Sequence, residues 1–169
     1  MIIELNDLRR TRVAANAPSV GLSFLLSQVG AHAAIGFADR LRALDLKPYD
    51  AGILRILGRN PGMTQQALSA MLGMFPSRLV ALLDALEGRK LIDRRKSPED
   101  RRSYRLHLTS GGRKALTRIG RLTLQLEHDL LAALSEKEKK VLFDVLTRVV
   151  SQQHITPGVH PAYRQLERS

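Results

Sequence analysis

A chain of 169 residues with 44% hydrophobic residues can bury a core, which sets aside wholesale disorder and suits one domain with helical extensions. Lysine and arginine outnumber aspartate and glutamate by 27 to 16, and the resulting net charge of +11 calls for a polyanionic partner, nucleic acid or an anionic membrane surface. With no cysteine, disulfides, thiolate metal sites and cysteine nucleophiles are excluded, while 4% aromatic residues and no tryptophan argue against single-strand stacking platforms and an aromatic membrane belt.

Residues 1–18 read as a polar N-terminal extension carrying Arg9, Arg10 and Arg12. Residues 13–38 contain no Asp, Glu, Lys or Arg, and Ala31-His32-Ala33 imitates a signal-peptidase site. Glu4 and Asp7 spoil a positive leader, however, and Asn16, Pro18, Ser23, Ser27, Gln28 and His32 interrupt the run a spanning helix requires. The pattern instead predicts a dimerisation helix within 19–46, capped by Ser19 and running to about Leu44. A helix apolar nearly all round has to be covered, and a second subunit is the natural cover. On this reading the protein is cytoplasmic with no membrane partner; an exported or membrane-surface protein is the alternative resting on this stretch alone.

A second helix opens at Pro48, whose fixed φ suits a first turn, and carries Ala51, Ile53, Leu54, Ile56 and Leu57 as a buried stripe up to Asn60-Pro61-Gly62. Thr64 caps a short helix over 65–72 with Ala67, Leu68, Met71 and Leu72 inward. Gly73 follows, and Pro76 opens a further helix with Leu79, Leu82, Leu83 and Leu86 on one face. Two short helices joined through a glycine form a helix-turn-helix pattern. Residues 91–95 and 104–108 read as strands around a polar turn at 96–102; in the second, Tyr104, Leu106 and Leu108 alternate with Arg105 and His107. Across residues 89–105 eight basic residues oppose three acidic ones, a net +5 in 17 residues. A helix-turn-helix followed by a basic hairpin is a winged helix, placed over 47–108.

Thr109 caps a helix expected to reach about Leu134, roughly 37 Å long, with Leu116, Ile119, Leu122, Leu126, Leu130 and Leu134 along it. Ser135 and Glu138 form a capping box that launches a last helix bearing Val141, Leu142, Val145, Leu146 and Val149. A compact winged helix needs no such helices, so 109–150 reads as a second dimerisation region. Residues 151–169, with Pro157, Gly158 and Pro161, read as a loose tail or a short extra turn. The fold class is mainly α with a small β-hairpin wing: a winged helix-turn-helix with N- and C-terminal dimerisation helices.

The run Pro76-Ser77-Arg78-Leu79-Val80-Ala81-Leu82-Leu83-Asp84-Ala85-Leu86-Glu87 resembles the recognition helix of the MarR family of transcriptional regulators. Ser97-Pro98-Glu99-Asp100-Arg101-Arg102, followed by Leu106-His107-Leu108-Thr109-Ser110-Gly111-Gly112, resembles that family's wing and the start of its long helix. The element order matches over about residues 19–150. The chain departs from the family in having Phe75 where a polar cap is usual, Val80 where a hydroxyl residue is frequent, and Lys90 where a glycine commonly precedes the first wing strand. The resemblance implies a homodimer that binds operator DNA, most often as a repressor, and releases it on binding a small lipophilic or phenolic ligand.

The N-terminal residues of a helix lying in the major groove reach base edges. Ser77, Arg78 and Ala81 lie opposite the leucine face and are the residues presented, with Arg78 either forked onto guanine or bound to phosphate. Gln65 and Gln66, in the first turn of the preceding helix, are placed to donate to phosphate. Arg94, Arg95, Lys96, Arg101 and Arg105 read as phosphate neutralisers. By resemblance, Arg102 enters the minor groove while Asp100 holds its guanidinium, and a narrow minor groove attracts arginine. Among polar groups suited to an effector pocket near the dimer interface are His32, Tyr49 and Arg55. His32, His107, His128, His154 and His160 show no metal-ligand spacing, so no metal or cofactor is expected. No nucleotide-binding glycine loop, nucleophile elbow or zinc-hydrolase motif occurs, and no enzymatic activity is expected. A non-sequence-specific architectural DNA-binding protein is the alternative function.

Overall fold

The structure, a computed structural model, describes residues 20–97, 104–161 and 163. The elements in chain order are α1 (Leu22–Leu41), a 3-10 turn (Arg42–Leu44), α2 (Pro48–Arg59), β1 (Met63–Thr64), α3 (Gln65–Leu72), α4 (Pro76–Gly88), β2 (Ile92–Lys96), β3 (Tyr104–Leu108), α5 (Ser110–Leu130) and α6 (Glu136–Gln152). The fold is mainly helical with one small antiparallel sheet, as the sequence pattern implied. The chain divides into two units, with the boundary between Ile35 and Gly36 inside α1.

Within the first unit, α1 exposes Leu22, Phe24, Leu25, Leu26, Val29 and Ile35. The expected cap, Ser19, lies outside the described residues. The α-helical hydrogen bonding of α1 stops at Leu41, three residues before the expected end, because the chain tightens into the 3-10 turn. Asp45 then reverses it in the left-handed conformation (φ 52°), its N–H donating to the Arg42 carbonyl.

In the second unit, α2 is the central core element. Pro48 occupies its first turn, the Asp50 carboxylate accepts from the Lys47 N–H at 2.8 Å, and Ala51, Ile53, Leu54, Ile56 and Leu57 are buried. Around it close Leu68 and Leu72 of α3, Leu79, Leu83 and Leu86 of α4, Ile92 and Leu106 of the sheet, and Ile119 of α5, each almost fully excluded from solvent. Burying one such side chain contributes about 1.5–3 kcal/mol, so this shared cluster holds the helix-turn-helix and the sheet to each other.

The sheet has three strands in the order β1-β3-β2, not the two of a simple hairpin. β2 pairs with β3 from Ile92 opposite Leu108 to Lys96 opposite Tyr104, and β1 adds Met63 opposite Leu106 and Thr64 opposite Arg105. β2 starts one residue later than expected, because the Leu91 N–H donates to the Leu86 carbonyl in the turn that closes α4. In that turn Lys90 takes φ 57°, with its N–H on the Glu87 carbonyl and its own carbonyl accepting from the Thr109 hydroxyl at 2.6 Å. A left-handed conformation costs a residue bearing a Cβ about 1–2 kcal/mol, while glycine adopts it freely at some cost in unfolded-state entropy. Lys90→Gly is therefore expected to stabilise the fold by up to about 1 kcal/mol, read as a raised thermal midpoint.

α5 ends at Leu130, short of the expected Leu134, where the Leu134 N–H donates to the Leu131 carbonyl in a turn. Ser135 and Glu138 form the anticipated capping box at the start of α6. Not one residue of α6 is buried, and Val141, Phe143, Val145, Leu146 and Val149 are exposed.

The segment after α6, expected as a loose tail or a short extra turn, takes up turns, with the Val159 N–H on the Thr156 carbonyl and the Tyr163 N–H on the His160 carbonyl. Tyr163 is only 3% exposed, its hydroxyl donates to the Tyr49 carbonyl at 2.7 Å, and the two rings meet edge-on at 5.6 Å. Gly52 makes room for it, since a Cβ there would overlap the Tyr163 hydroxyl. Burial, reinforced by the nearby Asp50 charge, pushes the Tyr163 phenol well above the usual tyrosine range. The unfolded chain ionises this group near about pH 10, whereas the folded chain keeps it neutral. Its contribution to stability is thus complete below that pH and is lost as the pH rises further. Between about pH 10 and 12, Tyr163→Phe is expected to flatten the alkaline loss of stability followed by denaturant titration.

Candidate nucleic-acid interface

The helix-turn-helix is built by local side-chain chemistry. Thr64 accepts from the Ala67 N–H at 3.1 Å and starts α3; Gly73 ends it in the left-handed conformation (φ 62°). Buried Ser69 donates its hydroxyl to the Met74 carbonyl at 2.6 Å and accepts the Met74 N–H on its own carbonyl at 3.1 Å, which fixes the turn. Pro76 begins α4, and the axes of the two helices turn through 114°, within the range of helix-turn-helix units.

On α4, Ser77 and Ala81 are exposed and Arg78 is half-buried, on the side away from the buried Leu79, Leu83 and Leu86. Gln65 is half-buried and Gln66 exposed at the start of α3. Two apolar residues that sequence pattern alone did not place here join this surface: Phe75, 64% exposed, and Val80, 37% exposed. The signal was the departure of both from the family's polar preference.

The wing's basic residues divide into two groups. Arg95 and Lys96 are exposed, with Arg95 resting on Asp93 at 2.9 Å. Arg94, expected as a phosphate neutraliser, has its guanidinium inward against α4. It pairs with Asp84 at 2.6 Å and Glu87 at 3.0 Å and reaches the Val80 carbonyl at 3.4 Å, with its side chain 19% exposed. The Arg94 N–H also donates to Glu87 at 3.2 Å. Asp84 and Glu87, three residues apart, share one side of α4, and a cation on the adjacent strand is their natural counter-charge. Arg94 thereby braces the wing against the recognition helix. Arg105 is likewise half-buried: it donates to the Ser97 hydroxyl and the Gly62 carbonyl, both at 3.3 Å, tying the hairpin to the end of α2. Asp100, Arg101 and Arg102 lie outside the described residues.

Of the effector candidates, Tyr49 and Arg55 of the second unit make contacts within the fold. His32 is exposed on α1. Tyr49 packs on Tyr163, and Arg55 donates to the Thr123 hydroxyl at 3.4 Å, linking α2 to α5. A cleft of about 540 Å³ opens near the foot of the wing, lined in part by Leu57, Pro61, Arg95, His107 and Leu116. Among the described residues no cluster of three or more His, Asp or Glu could hold a metal ion. Among them, too, no single helix is long and apolar enough to cross a membrane.

A helix set across a turn from α3, followed by a braced basic hairpin, defines a winged helix-turn-helix protein. The profile of the MarR family matches residues 44–103. A putative transcriptional regulatory protein for the hcr operon of Thauera aromatica is 38% identical over 107 residues, 63% of this chain and 64% of that protein. The transcriptional repressor MprA of Escherichia coli strain K12 is 32% identical over 93 residues, 55% of this chain and 53% of that protein. The matched region thus spans less than two-thirds of these curated relatives. Among solved structures, the transcriptional repressor CouR bound to a 23-mer DNA duplex is 30% identical, with a TM-score of 0.69 over 88% of this chain and 98% of that one. The apo form of wild-type MarR from E. coli, 23% identical at a TM-score of 0.68 over 78% of this chain and 98% of that one, shares the fold. The chain belongs to the MarR family of transcriptional regulators.

Proposed function

We propose that this protein is a homodimeric, sequence-specific regulator of transcription, a repressor that holds a pseudo-palindromic operator with two copies of the winged helix. The observation that carries the reading is the brace: Arg94 locks a basic hairpin to a helix that presents Ser77, Arg78 and Ala81 on the side away from its buried leucines. Hairpin and helix then meet a duplex as one body, the helix in the major groove and the wing over the adjoining backbone. The likeness to a repressor solved on a duplex supports this reading. Dimerisation is supported by the bare apolar sides of α1 and α6, each of which exposes several large hydrophobic side chains that an isolated chain would leave in water. Relief by a small lipophilic or phenolic effector belongs to the same reading, with His32, Tyr49 and Arg55 as the positions to substitute first.

The experiment is a competition shift assay with the protein's own upstream DNA. A specific regulator prefers its site over random duplex by about 10³-fold or more, whereas equal affinity for both overturns the reading in favour of a DNA-coating architectural protein. Arg78→Ala is expected to relax preference at one base pair per half-site, and Arg102→Ala to weaken all sites together.

A further inference from the structure

The head of α4 carries a residue that neither caps the helix nor fills the core. Phe75 stands at the N-cap position with extended backbone (φ −60°, ψ 138°), and its side chain makes no capping hydrogen bond. The backbone alone starts the helix, since the Phe75 carbonyl accepts the N–H groups of Arg78 at 3.1 Å and Leu79 at 3.2 Å. Serine, threonine or aspartate at this position would ordinarily stabilise the helix, so the chain forgoes a cap to hold an aromatic ring that is 64% exposed. The chain has only four phenylalanines and no tryptophan. The backbone that carries the ring is also held in place: Met74 before it is buried, Ser69 and Gly73 set the turn, and Pro76 follows.

The exposed surface of α4 that follows it offers few polar side chains. Val80 and Ala81 are exposed apolar residues, and Asp84 is engaged by Arg94. In the first two turns of α4 that leaves Ser77 and Arg78 as the polar side chains of the reading surface. The major groove displays one apolar feature that distinguishes a base pair, the 5-methyl group of thymine, and phenylalanine and alanine are among the residues that contact it. We propose that Phe75 is a specificity-determining residue that packs on the methyl group of a thymine in each operator half-site. The inference rests on the operator-binding reading above and names what part of the operator the apolar head of the helix reads.

The test begins with the duplex that the full-length protein enriches from a random pool. Each thymine of one half-site is then replaced singly by deoxyuridine, which removes the methyl and leaves base pairing intact. Removal of one buried methyl is expected to weaken binding about fourfold, at one thymine position per half-site. Phe75→Ser restores a capping hydroxyl and is expected to melt no lower than the parent, so loss of fold does not enter the comparison. In that variant the thymine and deoxyuridine duplexes are expected to bind alike. The proposal is overturned if no thymine position responds, or if Phe75→Ser responds as strongly as the parent. A pool in which no sequence is enriched overturns the operator reading itself, and this inference with it.

Discussion

Operator affinity is expected to fall by about 10³ to 10⁵ between 50 and 200 mM salt, the loss that follows when a complex neutralising about 6–10 phosphates gives up the release of their counterions. The contributions of the wing arginines to that slope should differ with their geometry. Arg95, exposed and resting on one carboxylate, is free to approach a phosphate, as is Lys96. Removing a cation that neutralises one phosphate lowers the slope by about one, so Arg95→Ala should reduce it by about two in a dimer and leave the thermal midpoint nearly unchanged. Arg94→Ala should do the reverse. Its guanidinium is engaged by Asp84 and Glu87 and has little surface to offer a phosphate, so its removal should lower the thermal midpoint and leave the slope close to that of the parent. Affinity measured across a salt series for the three proteins, beside their melting curves, checks the contrast.

Gly112→Ala is expected to be the most damaging small substitution in the fold. A Cβ at this position would run into the Leu91 carbonyl oxygen and crowd the Leu91 carbonyl carbon. Those atoms are backbone, and they cannot rotate aside as a side chain can. The same carbonyl accepts the Thr109 N–H at 3.1 Å, while Thr109 caps α5 by accepting the Gly112 N–H at 3.0 Å. The first turn of α5 therefore presses directly on the chain entering the wing. Forcing them apart disturbs the cap, the strand entrance and buried Leu108 together. Overpacking of this kind costs about 1–3 kcal/mol where side chains can adjust, and with backbone on both sides the loss is expected at about 3 kcal/mol or more. Gly120→Ala, in the same helix with open space at its Cβ, is the control, and should be neutral or slightly stabilising. Urea unfolding of the two variants checks the difference.

The signals that were legible in the sequence are local ones. Pro48, Thr64, Pro76 and the Ser135–Glu138 pair each act within one helical turn, so the starts of α2, α3, α4 and α6 follow from neighbouring residues alone. The glycine of the Leu-x-Leu-Thr-x-x-Gly run was visible as a motif, and the structure supplies its reason in the Leu91 carbonyl. What the sequence left hidden depends on partners distant in the chain. β1 is two residues long and exists as a strand because Met63 and Thr64 meet Leu106 and Arg105. Tyr163 falls in a stretch that reads as a loose tail or a short extra turn, because its acceptor, Tyr49, lies near the start of α2. Arg94 looked like its neighbour Arg95, since strand alternation sends one inward and one outward without regard to charge. In the candidate site, Ser77, Ala81, Arg95 and Lys96 are exposed as the pattern implied, while Phe75 was noted as a departure and its exposure followed only from the fold.

Whether two winged helices are held at a fixed separation is decided by changing the spacing of the operator. In a rigid dimer the recognition helices sit about one helical turn, roughly 34–36 Å, apart. Five base pairs inserted between the half-sites, about half a turn of the duplex, move the second one to the far side. Affinity for this duplex is expected to fall to the level of random DNA, with both half-site sequences intact. Undiminished affinity for the lengthened site would mean that the two winged helices are not rigidly coupled.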